Sequence, residues 1–115
     1  MKYILTGGGR LDPTLDTRVR ETLGVVVFEG YGLTETSPVI SANRSFATKK
    51  IGTVGPALPG YEFEVRDPEG KVLGRNEDGL LWVRGPSVFS GYFRSPEMTE
   101  ERIVDGWFNT GDIVR

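Results

Sequence analysis

Three short stretches of this 115-residue chain gather side chains that could do chemistry: Gly7-Gly8-Gly9, residues 29–36 (EGYGLTET) and residues 107–112 (WFNTGD). Each also has an ordinary reading. Three consecutive glycines make a flexible turn, and Tyr31 between two glycines can be a surface aromatic. Thr34, Thr36 and Ser37 can cap a helix, Glu35 can be a solvated carboxylate, and Asn109-Thr110-Gly111-Asp112 has turn composition. Read for chemistry, the same residues share one purpose. Glycine lets backbone approach a flat base or a phosphate, the face of Tyr31 can stack on a purine, and threonine hydroxyls beside backbone N–H groups suit phosphate oxygens. A carboxylate such as Glu35 can hold Mg2+, and one such as Asp112 can accept both hydroxyls of a ribose. That is a complete set for a nucleotide with its metal, although one cluster alone would establish nothing.

These clusters need elements to position them. Residues 3–6 form a strand candidate that runs into the three glycines. Asp12 suits an N-cap and Pro13 the first helical position. Leu15, Val19 and Leu23 recur at i, i+4 and i+8, the apolar face of a short helix, and Gly24 stands where a helix stops. Residues 25–28, VVVF, read as a strand covered on both faces. Strand, helix and strand in one sheet imply parallel strands joined by a right-handed crossover. Their C-terminal ends then emerge at the same edge, where open α/β sheets bind ligands. Gly7-Gly8-Gly9 and Glu29-Gly30-Tyr31-Gly32 are therefore expected to lie close together.

From Ile51 the texture changes. Glycines and prolines interrupt residues 52–60, then residues 61–66 (YEFEVR) alternate apolar and charged as a half-buried strand does. Residues 67–70 (DPEG) form a turn with Pro at its second position, and residues 71–73 can pair back as a hairpin arm. Residues 80–84 and 88–93 read as further strands. Ser95 as N-cap and Pro96 open a short acidic helix to about Ile103. Residues 107–108, a polar loop and residues 113–114 follow. The expected fold class is α/β plus β: a short parallel strand-helix-strand unit (residues 1–48), then a small, mostly antiparallel, β-barrel-like subdomain (residues 49–115).

Composition excludes several function classes. The chain is 37% hydrophobic and 26% charged with a net charge of −2, and its mean hydropathy is −0.26 and its pI about 5.2. Those values fit a globular domain. Ten Arg and four Lys are scattered, which gives no footprint for nucleic acid and no basic membrane patch. Without Cys or His there is no disulfide, no thiolate nucleophile and no imidazole base. No apolar run approaches the ~18 residues of a membrane span, and no signal-peptide pattern opens the chain. A cytoplasmic location is expected.

Residues 30–36 (GYGLTET) resemble the signature of the adenylate-forming superfamily: acyl-CoA synthetases, luciferases and peptide-synthetase adenylation domains. Residues 52–56 (GTVGP) with Pro59-Gly60, residues 79–92 (GLLWVRGPSVFSGY) and residues 107–112 are similar to that family in the same order and rough spacing. Four ordered matches cover nearly the whole chain. Leu33 after the second glycine leans toward acyl-CoA synthetases, and residues 85–93 (GPSVFSGYF) are similar to fatty-acid members. The resemblance implies that Gly7, Gly8 and Gly9 border adenine and the acyl pocket. It implies that Glu29, Gly30, Tyr31 and Gly32 line the adenine with Tyr31 stacking, Thr34 contacts the α-phosphate, Glu35 binds Mg2+ and Asp112 holds the ribose.

It further implies a ligase that converts a medium- or long-chain fatty acid and ATP to an acyl-adenylate, then to acyl-CoA. The departures set the expectation for this chain. The upstream phosphate loop ending in Pro-Lys-Gly, the aromatic-flanked histidine and the C-terminal catalytic lysine are not in it; Lys2, Lys49, Lys50 and Lys71 sit in no such motif. Gly9 stands where many relatives have alanine, and Asn109 where a basic residue is frequent. The chain is thus expected to be an internal piece of the large N-terminal domain, with no complete catalytic set, inactive alone and prone to self-association through residues 1–40. The alternative is a stand-alone, non-catalytic module that binds an adenine nucleotide or a protein partner.

Overall fold

The computed structural model describes residues 2–115. The chain divides into two compact units, Met1–Leu58 and Pro59–Arg115.

The first unit is a mixed three-stranded sheet with one helix. β1 (Tyr3–Thr6), α1 (Pro13–Leu23), β2 (Val26–Gly32) and β3 (Val39–Ala42) give the sheet order β1-β2-β3. β1 pairs parallel to β2, and β2 antiparallel to β3. Local chemistry sets both ends of α1. The Asp12 carboxylate accepts the backbone N–H groups of Thr14 (2.6 Å) and Leu15 (3.3 Å). Those bonds hold its carboxyl below the usual carboxylate range. Gly24, at φ 63°, ends the helix and donates its N–H to the Arg20 carbonyl.

The face of α1 does not follow the apolar stripe. Leu15 and Leu23 are 50% and 57% exposed, and the buried residue is Asp16, whose carboxylate meets Lys49 Nζ at 2.7 Å. The expectation of a strand covered on both faces is also corrected. Val25 and Val27 are buried, while Val26 and Phe28 are half-buried beside the exposed Tyr3 and Leu5 of β1.

Two further corrections concern β2. Residues 29–32 are not a loop: β2 continues through them because β3, which the sequence reading did not foresee, pairs with Gly30, Tyr31 and Gly32. The glycines serve that pairing. A Cβ on Gly32 would sit 1.5 Å from the Pro38 carbonyl oxygen, and one on Gly30 would sit 3.2 Å from that of Ser41. The outer side of β3 is closed in turn, since Ala42 N donates to Pro56 O and Leu58 N to Ile40 O. This lacing carries the first unit to Leu58, ten residues beyond the boundary expected at 48. Among the described residues the sheet's open edge is that of β1.

The second unit is antiparallel. β4 (Glu62–Arg66), β5 (Gly79–Arg84), β6 (Ile103–Val104) and β7 (Trp107–Val114) form a sheet in the order β4-β5-β7-β6, with α2 (Pro96–Arg102) before β6. The pairing of Val83 with both Phe63 and Phe108, and of Leu81 with Val65, puts apolar side chains on one face. Leu81, Val83 and Phe108 are buried there, and Phe89 packs edge-on against Phe108 at 5.5 Å between ring centroids. The other face is a cation–π ladder. Arg66 lies 4.5 Å from the Trp82 ring centre and 5.2 Å from that of Trp107, and Arg84 lies 4.8 Å from Trp107.

Residues 88–93 are turns, not the expected strand. Val88 N donates to Gly85 O and Tyr92 N to Thr99 Oγ1, so these backbone groups are engaged outside the ladder. Ser95 precedes α2 without capping it through its hydroxyl. The expected polar loop at residues 109–112 is instead a bulge inside β7, where Trp82 pairs with Asn109 but Leu80 with Ile113.

No helix among the described residues is long and apolar enough to cross a membrane.

Candidate functional site

The first unit contains an open cleft of about 540 Å³. Leu5, Thr6, Gly7 and Gly8, where β1 ends, form one wall. Gly30, Tyr31 and Gly32 at the end of β2, with Leu33, Thr34 and Glu35 of the turn that follows, form the other; Pro38 and Val39 complete it. The pairing of Thr6 with Glu29 brings these walls together, because the strand ends then emerge side by side. The walls approach closely at Gly7, where an added Cβ would lie 3.1 Å from the Gly30 carbonyl oxygen.

The cleft therefore gathers Gly7, Gly8, Gly30, Tyr31, Gly32, Thr34 and Glu35 from the sequence-derived set. Two members of that set lie elsewhere in the first unit. Gly9 is outside the lining, with open space where a Cβ would go. Glu29 is 4% exposed and alternates onto the same side of the chain as the buried Val25 and Val27. Its carboxylate accepts the Leu11 backbone N–H at 3.0 Å, and its carbonyl accepts Asn43 N. Glu29 thus ties the segment after the glycines to the end of β2; it does not line the cleft.

Asp112 belongs to the second unit, in the β7 bulge. Side chains satisfy the backbone of that bulge. Asp112 N donates to Thr110 Oγ1 (3.1 Å), Thr110 Oγ1 to the Leu81 carbonyl (2.9 Å), and Gly111 N to Asn109 Oδ1 (2.9 Å). Gly111 holds φ 79°, a conformation that favours glycine.

The cleft brings one carboxylate, Glu35, and no group of three or more potential metal ligands exists among the described residues. That suits Mg2+ of the kind that keeps water and substrate phosphate as its other ligands, because Mg2+ commonly needs only one or two protein carboxylates. It does not suit a metal caged by protein.

Sequence reading assigned no role to Ser41 and Asn43 and took Thr36 as a helix cap, yet these polar residues hold the cleft's frame. Thr36 and Ser41 are fully buried and Asn43 is 3% exposed. Ser41 Oγ donates to Val54 O (3.1 Å) and Asn43 Nδ2 to Thr53 O (2.6 Å). The signal was in the sequence, as polar residues alternating with Ile40 and Ala42 after Pro38, but without a foreseen β3 it had no meaning.

Comparison with known proteins gives a consistent result. The sequence pattern of the family described as AMP-binding enzyme matches residues 1–93. A long-chain-fatty-acid–[acyl-carrier-protein] ligase (AEE15, chloroplastic) of Arabidopsis thaliana is 43% identical over 110 residues, covering 94% of this chain and 15% of that protein. A long-chain-fatty-acid–CoA ligase of Haemophilus influenzae is 39% identical over 114 residues, covering 99% of this chain and 20% of its own length. ATP-bound MatB from Rhodopseudomonas palustris superposes with a TM-score of 0.87 at 40% identity, over 95% of this chain and 22% of that structure. The chain spans about a fifth of the proteins it matches.

Proposed function

Because the chain belongs to the AMP-binding enzyme family, we propose that it forms the adenine and α-phosphate wall of a longer ATP-dependent, AMP-forming fatty-acyl-CoA synthetase. The observation that carries this reading is the convergence of Gly7, Gly8, Tyr31, Thr34 and Glu35 on one cleft. In it, Tyr31 stacks on adenine between backbone approaches at Gly30 and Gly32, and the exposed Thr34 hydroxyl meets the α-phosphate. Glu35 holds Mg2+, which offsets phosphate charge as the fatty-acid carboxylate attacks. Asp112 is the ribose partner by resemblance alone. CoA is the proposed acyl acceptor, and the reaction runs in the cytoplasm.

With one carboxylate, assigned here to Mg2+, and one exposed hydroxyl, the chain's own residues bind and orient. The isolated chain should therefore bind AMP with a Kd on the order of a millimolar, roughly −4 kcal/mol, and catalyse no ATP–pyrophosphate exchange. Titration followed by NMR and an exchange assay with labelled pyrophosphate check both. Micromolar AMP binding without exchange would favour a stand-alone nucleotide-binding module. Exchange by this chain would show that the catalytic groups are already within it.

A further inference from the structure

We propose that Thr36 is a positioning residue for phosphate recognition: its hydroxyl clamps residues 33–38 so that Thr34 and Glu35 face the cleft. The inference rests on the nucleotide reading above and adds to it a residue that touches no ligand. Thr36 is fully buried and follows directly on the two cleft residues it serves.

Its Oγ1 accepts the Leu33 backbone N–H at 2.9 Å. Its single proton goes to the carbonyl of Pro38 (2.8 Å) or of Leu33 (2.9 Å). Its own N–H donates to Leu33 O at 3.0 Å, and Ser37 N donates to Thr34 O at 3.2 Å. One hydroxyl thus satisfies groups at both ends of the segment.

The segment needs that help. The 3-10 turn Thr34–Thr36 is only three residues long, so it cannot pair its terminal backbone groups internally. It ends at Ser37, a non-glycine residue at φ 52°, a conformation that must be held by its surroundings. Pro38 must then fit against Gly32, where no Cβ can be accommodated. A clamp in the middle of such a turn fixes where Thr34 and Glu35 point, and both line the cleft together with Leu33 and Pro38.

The test compares the full chain with Thr36→Val, which keeps the volume, and Thr36→Ser, which keeps the hydroxyl. Amide exchange reads the clamp. Thr36→Val is expected to speed exchange at Leu33 about tenfold or more, the size of leaving a buried donor without its acceptor. Val27 and Phe28 should keep their protection. Affinity for AMP relative to adenosine reads the function: the preference for AMP should fall in Thr36→Val and return in Thr36→Ser. A merely structural fault would weaken both ligands alike.

Native Leu33 protection in Thr36→Val, or an undiminished AMP preference, overturns the role of Thr36. So does a wild-type chain that binds adenosine and AMP equally, whereas one that binds neither overturns the nucleotide reading as well. If Thr36→Val also unprotects β2, Thr36→Ser decides alone, and loss of its AMP preference refutes the proposal.

Discussion

The two units of this chain bury different things. Asp16, Glu29, Thr36, Ser41 and Asn43, the buried polar residues, all lie in the first unit, beside a small apolar core of Val25, Val27, Ile40 and Ala42. In the second unit the buried residues are Leu81, Val83, Trp107 and Phe108. There Phe63 and Val65 of β4 align through β5 with Phe108 of β7, so the sheet gathers one apolar face. The first unit instead holds segments around a cleft: Asp16, Glu29, Ser41 and Asn43 bond to residues of other segments, and Thr36 braces its own turn. Burial in one unit makes a core; in the other it aims loops.

That contrast can be broken from either side. The largest effects come from emptying the aromatic core or orphaning the buried ion pair. Phe108→Ala should cost about 3–5 kcal/mol. The loss should appear in the exchange of β5 and β7 amides, with those of β2 retaining their protection. Lys49→Met leaves the Asp16 carboxylate buried without its partner and should cost about 3–5 kcal/mol, seen this time in α1 and β2. Replacing both partners by apolar residues should recover much of that loss. If the single and the double variant are equally unstable, the pair acts through packing and the polar character claimed for this unit is wrong.

A smaller effect is expected at Glu29. Glu29→Leu leaves the Leu11 N–H without its acceptor and should cost about 1–3 kcal/mol, with Glu29→Gln retaining most of the stability because an amide oxygen can accept the same bond. Equal losses in the two variants would point to the charge rather than to the hydrogen bond.

The smallest effect is the acid response of the α1 cap. The Asp12 carboxyl is held below its unfolded value by the N–H groups of Thr14 and Leu15. Its contribution is therefore fully present above the unfolded pKa, and is lost as pH falls through the lower, folded one. Helical signal from α1 should fray only at the acid end of the carboxylate range, and Asp12→Asn should flatten that response. An Asp12 titration at or above the ordinary value would contradict the cap.

Some of this was legible before any coordinates. Asp12, Pro13 and Gly24 mark the ends of α1 because capping is local chemistry, decided within four residues. β4 shows in its alternation of apolar and charged residues for the same reason. What escaped depends on distant partners. β3 is four residues with a serine in the middle, and only its position beside β2 makes Ser41 buried rather than a surface polar group.

Gly30 and Gly32 look like places for a ligand to approach, yet the close approach they permit is by β3 and Pro38. Phe89 and Tyr92 look like strand residues because they are aromatic, but they pack from turns. Leu15 and Leu23 form a helical stripe on paper and are exposed in the structure, where Asp16 turns inward to Lys49. In the candidate site the types of chemistry were readable, and the division between what lines the cleft and what braces it was not. Glu29 is buried against the Leu11 backbone and Thr36 within its own turn, while Tyr31 and Thr34, two residues away from them, line the cleft.

The cation–π ladder has a practical consequence for anyone who follows this protein in solution. Its rungs, Trp82 and Trp107, are the only two tryptophans in the chain, and both belong to the second unit. Light absorbed at the red edge of the protein spectrum is therefore taken up in the second unit alone. An emission-monitored melt excited there is a record of how residues 59–115 come apart. The first unit absorbs through Tyr3 and Tyr31, so its melting has to be followed by tyrosine or by far-ultraviolet dichroism. Placing a tryptophan at Phe28, whose ring lies 6.0 Å from that of Tyr3, would give it an optical reporter of its own.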